Sequence, residues 1–203
     1  LINLIPRFYE ATKGAVLVDG VNVKEYPFEQ LRTQIGLVPQ KATLFSGTIR
    51  ENLQWRKENA TDEEIARALS IAQASEFVDA LPEKYDAVID QGGKNLSGGQ
   101  KQRLTIARAL VRRPDVYVFD DSFSALDFKT DARLRRELKK ETSDAIVMIV
   151  AQRISSIMDA DQIIVLNEGT VVGTGTHRDL LKNCQVYREI ALSQLSEEEL
   201  AHA

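Results

Sequence analysis

The 203-residue sequence is short of several things, and each shortage removes a class of protein. Its single cysteine, Cys184, cannot form an intrachain disulfide, which fits a reducing cytosol. No apolar run approaches membrane-spanning length and no signal-peptide pattern opens the chain, so membrane association must go through a partner. Positive charge is not in excess: the formal net charge is −4, which argues against nucleic acid as the main partner. Internal repeats and low-complexity tracts are absent. Histidine is scarce, with only His177 and His202. What remains is 43% apolar and 28% charged residues, the composition of a globular domain with room for one smaller inserted subdomain.

The order of patterns along the chain predicts an α/β architecture. Leu1 to Ile5 is apolar and helix-like, follows no initiator methionine or strand, and reads as the interior of a domain. Ala15–Val18 with the Asp19-Gly20 turn, and Ile35–Val38 stopped by Pro39, are predicted strands. A capping box at Thr61-Asp62-Glu63-Glu64 starts a helix whose apolar face runs through Ile65, Leu69 and Ala72, extended by Phe77, Val78 and Leu81. A further helix is predicted from Ser97 to Val111. The unbroken apolar runs Val116–Phe119 and Ala145–Val150 predict strands buried on both faces, as in a parallel sheet covered by helices. Residues 162–166, the Asn167-Glu168-Gly169 turn and 170–172 predict a hairpin. The core is thus interrupted, roughly from Gly47 to Arg113, by a mostly helical insertion.

Two motifs carry chemistry. Ser97-Gly98-Gly99 opens a helix with unencumbered amides, and such an N-terminus attracts phosphate through orphan donors and the helix dipole. Asp120 ends a buried strand, where a carboxylate is delivered into a crevice and can hold Mg²⁺. Asp121 follows where a general base or water-orienting group is useful. The plainer readings are a serine cap with two glycines and a pair of strand-ending aspartates. The occurrence of both motifs in one chain favours nucleoside triphosphate chemistry.

Leu96–Gln100, Val116–Asp121 and Ser124-Ala125-Leu126-Asp127 resemble the signature motif, Walker B strand and D-loop of an ATP-binding cassette (ABC) ATPase. Gln40 is similar to that family's Q-loop glutamine, and the stretches Leu44–Leu53 and Gly175–Leu181 resemble its exporter branch. The resemblance covers essentially the whole chain. It implies a RecA-like, mostly parallel sheet core (residues 1–46 and 114–203) with an inserted helical subdomain (47–113) carrying the signature, and a C-terminal β-hairpin plus helices. It further implies ATP and Mg²⁺ as cofactors. Gln40, Ser97, Gly98, Gly99, Gln100 and Asp127 would bind nucleotide, Gln40 and Asp120 the metal, and Asp121 and Gln152 would act in catalysis. The implied partners are a transmembrane domain, on the same polypeptide, and a second nucleotide-binding domain, at the cytoplasmic face of the cell membrane.

Three departures qualify the resemblance. No G-x-x-x-x-G-K-[ST] loop occurs in these residues; Gly93-Lys94-Asn95 comes nearest, with Val88 where the first glycine belongs, so the chain is expected to open just after the phosphate cradle. Asp121 stands where active members carry glutamate, and its carboxylate falls short by roughly 1.5 Å; misplacement on the order of 1 Å can cost about a hundredfold in rate. Gln152 stands where the family's switch histidine is expected, and an amide cannot charge or carry a proton near neutrality. An intact signature beside Asp121 and Gln152 resembles the degenerate half of a heterodimeric exporter, whose signature completes the partner's site. A fully active homodimeric exporter and a soluble, non-transport ABC clamp are the alternatives. Trp55 and Tyr85 are expected to pack rather than to stack on a base, His177 to lie in a surface turn or at a helix start, and 196–200 to form a solvated helix end.

Overall fold

The computed structural model describes residues 1–195; His202 and the 196–200 segment lie outside the described residues. The chain divides into two compact units, Leu1–Val150 and Ala151–Ala203.

In the first unit, β1 (Leu17–Val18) and β2 (Val21–Asn22) form a small antiparallel ribbon across the Asp19-Gly20 turn. Short α1 (Phe28–Thr33) leads into β3 (Ile35–Val38). β4 (Gly47–Thr48) then precedes three helices, α2 (Ile49–Gln54), α3 (Asp62–Ile71) and α4 (Ser75–Asp79). β5 (Val88–Ile89) pairs back onto β4, and α5 (Gly98–Leu110) follows. β6 (Val116–Asp120), α6 (Phe128–Glu141) and β7 (Ile146–Val150) complete the unit.

The central sheet has the order β3-β6-β7 and both pairings are parallel. Central β6 has the continuous apolar run expected of a strand covered on both faces, and Val116 to Phe119 are buried. β7 departs from that expectation. Among the described residues it pairs only with β6, and Ile146 and Val150 are 60% and 41% exposed. An edge strand lacks the second neighbour that closes its flank, so its apolar run is not matched by burial.

Local chemistry explains where helices start. Capping boxes at Thr48, Thr61 and Ser97 each pair a side-chain oxygen with the amide three residues on, while the Glu or Gln there reaches back; each is worth roughly 1 kcal/mol. The apolar pattern after Thr61 is not one helix. Gln73 adopts φ 57°, its amide bonds to Ser70 O, and the chain restarts as α4 with Val78 buried. The opening segment is likewise shorter than expected, a single 3₁₀ turn at Ile2–Leu4. Arg7 at φ 54° ends it, and the amides of Phe8 and Tyr9 fold back onto Asn3 O; so short a helix propagates poorly, and Pro6 supplies no donor.

The second unit is built on the hairpin of β8 (Ile163–Asn167) and β9 (Thr170–Gly175), followed by α7 (His177–Asn183) and α8 (Gln185–Gln194). Its core gathers Ile163, Val165, Leu180, Tyr187 and Ala191. His177 is at a helix start but is not a surface residue: it is 5% exposed, and its Nδ1 lies 2.7 Å from the Tyr187 hydroxyl.

Candidate functional site

The parallel sheet aims its carboxyl ends at one edge, the place where open α/β sheets hold ligands. Asp120 is the last residue of β6 and Gln40 lies two residues past β3. The Gln40 Nε2 donates to Asp121 Oδ2 at 3.2 Å, a contact between residues 81 positions apart. The Asp121 amide donates to Val150 O at 2.9 Å, tying the end of β6 to the end of β7. Asp121 has φ 45°, a left-handed conformation that aspartate tolerates better than most residues and that turns the chain sharply out of the strand.

Two serines fix this corner. Ser122 is fully buried, and its Oγ donates to Val38 O at 2.9 Å and lies 3.3 Å from Asp120 O. It thereby bridges the ends of β3 and β6. Ser124 Oγ donates to Asp121 O at 2.9 Å. Neither role could be read from the sequence, because each depends on which carbonyls the sheet register brings close.

The second cluster is the N-terminus of α5. Ser97 Oγ accepts from the Gln100 amide at 3.2 Å, and Gln100 Oε1 accepts from the Ser97 amide at 2.9 Å. The cap therefore occupies Ser97 and Gln100 with each other. It leaves the amides of Gly98 and Gly99, which no α-helix can satisfy internally, as the donors on offer. A Cβ on Gly98 would meet no heavy atom within 4 Å beyond its chain neighbours and its own helix backbone, so the space beside Gly98 is free. A Cβ on Gly99 would sit 3.5 Å from Ala125 O, which puts the 124–127 loop beside this helix end.

Asp127 closes that loop. Its Oδ1 accepts from the Thr130 amide at 3.0 Å and caps α6. Those hydrogen bonds from Thr130 hold its carboxyl below the ordinary range. Behind the cluster, Arg103 Nη1 donates to Gln73 O at 2.6 Å and its Nε to Gly99 O at 3.4 Å, while its guanidinium lies 4.8 Å from the Phe77 ring centroid. α5 is so tied to the left-handed corner between α3 and α4.

Of the predicted residues, Gln40, Asp120 and Asp121 thus converge at the sheet edge. Ser97, Gly98, Gly99 and Gln100 form one helix terminus with Asp127 on the neighbouring loop. Gln152 lies in the second unit, exposed, with its carbonyl accepting from Gln194 Nε2 at 2.8 Å. Gln194 Oε1 in turn accepts from the Ile154 amide at 2.9 Å, a brace 42 residues away that the sequence did not reveal. Trp55 packs by stacking on Phe45 with centroids 4.4 Å apart, although it remains 64% exposed. Tyr85 lies beneath the Arg50 guanidinium, 5.6 Å from its centroid.

A helix terminus with two glycine amides and a carboxylate-tipped parallel sheet in one compact unit have the form of the nucleotide-binding α/β domains. More narrowly, a family model described as ABC transporter matches residues 1–124, and the chain belongs to that family. An uncharacterized ABC transporter ATP-binding protein of Mycobacterium tuberculosis is 50% identical over 197 residues, 96% of this chain and 34% of the relative. A Staphylococcus aureus protein named, on a provisional basis, a multidrug export ATP-binding/permease protein is 44% identical over 190 residues, 94% of this chain and 33% of that protein. The solved structure of a bacterial Atm1-family ABC exporter with ATP bound superposes with a TM-score of 0.93 at 35% identity, over 97% of this chain and 35% of that one. The architecture is therefore the RecA-like ABC nucleotide-binding fold. The chain spans about a third of the length of the curated relatives it matches.

Proposed function

We propose that these residues are the ATP-binding component of an ABC exporter, and that they contribute an intact signature motif to an ATP held by a second nucleotide-binding domain while their own site is degenerate. In this reading residues 47–113 are the helical subdomain that presents the signature. Residues 1–46 and 114–203 form the core, at the cytoplasmic face of a membrane spanned by another part of the polypeptide. Among the described residues no helix is long and apolar enough to cross a membrane. The exporter assignment is supported by the printed descriptions of the S. aureus relative and the Atm1-family structure.

The observation that carries the reading is the contrast between the two clusters. The α5 terminus offers two glycine amides with free space beside Gly98, whereas the Asp121 carboxylate is engaged by Gln40. The residues fit ATP with Mg²⁺. Glycine amides at a helix N-terminus suit a phosphate oxygen. Among the described residues no group of three or more His, Cys, Asp or Glu could hold a metal ion alone, and Mg²⁺ needs only one or two protein oxygens, taking the rest from phosphate and water. Bound ATP with Mg²⁺ supplies the phosphoanhydride whose hydrolysis drives transport. Asp120 and Gln40 would hold the ion at the chain's own site, and Asp121 would orient water there only weakly. Gln152 could donate a hydrogen bond to phosphate but not relay a proton.

The test is steady-state ATPase activity of the full-length protein with its partner domain. Ser97→Arg is expected to abolish most turnover by filling the signature terminus, whereas Asp121→Asn is expected to change it less than about threefold, because a site already about a hundredfold slow adds little. If Ser97→Arg leaves hydrolysis untouched, the trans-site reading fails.

A further inference from the structure

Gln152 lies two residues past the end of β7, at the start of the second unit, and one distant side chain holds the backbone around it. Gln194, the last residue of α8, donates from Nε2 to Gln152 O at 2.8 Å and accepts at Oε1 from the Ile154 amide at 2.9 Å. Arg153, between them, is extended, with φ −96° and ψ 124°. An extended residue turns the carbonyl before it and the amide after it to the same side. A primary amide carries its donor and acceptor side by side. The Gln194 side chain therefore does here what one residue of a neighbouring parallel strand would do.

The brace has firm backing. Tyr187 and Ala191 stand seven and three residues before Gln194 in α8, a spacing that puts all three on one helix face. Tyr187, Ala191 and Ile154 belong to a single buried core with Val165 and Leu180, so packing fixes the helix end from which Gln194 reaches out. Gln152 and Gln194 are themselves exposed. Water competes for exposed hydrogen bonds, so the brace adds little to folding stability. What it does fix is the backbone from which the Gln152 side chain starts, and with it most of that side chain's freedom to miss a target.

We propose that Gln194 is a positioning residue: by clamping Gln152 O and the Ile154 amide it presets the Gln152 side chain for the terminal phosphate of ATP, so that this chain's own site holds ATP in preference to ADP. The proposal deepens the reading above and rests on its placement of Gln152 at that phosphate. A neutral amide has no long-range attraction to an anion, and its hydrogen bond depends steeply on distance and angle. A residue that fixes its backbone therefore has more leverage over it than over an ion pair. In a site that hydrolyses poorly, the use of such a contact is retention of the triphosphate.

The experiment uses the full-length protein with its partner domain. A photoreactive azido-ATP with Mg²⁺ labels this polypeptide on ice, and adenylyl imidodiphosphate and ADP compete with it; the ratio of their half-displacing concentrations gives the preference for triphosphate. Losing a hydrogen bond to a charged phosphate oxygen costs about tenfold in affinity, so Gln152→Ala is expected to cut the preference about tenfold. Gln194→Ala, and Gln194→Glu, which can still accept from Ile154 but has no donor for Gln152 O, are each expected to cut it at least about threefold. Neither should change it further in the Gln152→Ala background. A helix end that only supported the fold would weaken both nucleotides alike, with or without Gln152. Hydrogen exchange of the nucleotide-free protein reads the brace itself, and the Ile154 amide is expected to exchange about tenfold faster in Gln194→Ala. An unchanged preference in either Gln194 variant, an effect that persists without Gln152, or unchanged exchange at Ile154 would overturn the proposal. If Gln152→Ala itself leaves the preference unchanged, the placement of Gln152 at the phosphate fails and the positioning role with it. If Gln152→Ala lowers the preference and the Gln194 variants do not, only the positioning role fails.

Discussion

Gly98 is the first residue of α5, and a Cβ added to it would meet nothing within 4 Å. Gly98→Asp therefore adds a carboxylate at an exposed position where its Cβ has free space. Replacing glycine in a helix gains at most about 0.5–1 kcal/mol, and an anion in the first turn contributes about 0.3–1 kcal/mol through the helix dipole. Thermal stability should hold or rise. The same carboxylate occupies the approach to the Gly98 and Gly99 amides. Against one phosphate charge roughly 5 Å away, Coulomb repulsion is about 3 kcal/mol at an effective dielectric of 20 and about 0.8 kcal/mol in bulk water. With about 1.4 kcal/mol per factor of ten, nucleotide-dependent turnover should fall between about fourfold and about 150-fold. The loss should shrink in high salt, because the terminus is exposed. The assay pairs a melting curve with ATPase activity of the full-length protein and its partner, using Gly98→Ala as the uncharged control. A stable Gly98→Asp protein with ATPase activity within twofold of the parent would refute the phosphate role of this terminus. A lowered melting temperature would refute the claim that the position is open.

Ser122→Ala should cost about 0.5–1.5 kcal/mol, because it removes a buried side-chain hydrogen bond to the Val38 carbonyl; an unchanged urea midpoint would contradict the bridging role. Burial pushes the His177 imidazole below its ordinary value, with Asp159 opposing weakly. The unfolded chain then takes up the proton first as pH falls, so this stability is fully present above about pH 6.5 and is lost below it. His177→Gln can still hydrogen-bond the Tyr187 hydroxyl but cannot charge, so its melting temperature should fall less between pH 6.5 and 5 than that of the parent. Parallel curves would show that His177 does not titrate on unfolding.

Part of this architecture was legible because it is written in short-range chemistry. Ser97 followed by Gln100 specifies a cap, and the unbroken Val116–Phe119 run specifies a buried strand; both stand in the structure. Other features depend on distant neighbours. The pattern from Ile65 to Leu81 keeps helical spacing across a left-handed Gln73, since the core rewards apolar positions whether or not the backbone is continuous. β7 is as apolar as β6, and only its place in the strand order leaves it with a single neighbour among the described residues. Asn52 is 2% exposed and is satisfied entirely by the Phe45 and Thr48 backbone, a burial that no periodicity argument assigns to asparagine. At the sheet edge, Asp120 and Asp121 were visible as a strand end, but the Gln40–Asp121 contact spans 81 positions and exists only through the β3–β6 register.

The central claim is that this chain lends its signature to another site while its own site hydrolyses poorly. The most direct measurement counts hydrolysing sites in the assembled full-length protein, by trapping nucleotide with vanadate and quantifying bound ADP per pair of nucleotide-binding domains. The account predicts one trapped ADP per pair, lost with Ser97→Arg in this chain and retained with Asp121→Asn. Two trapped ADP per pair, or loss of trapping with Asp121→Asn, would contradict it.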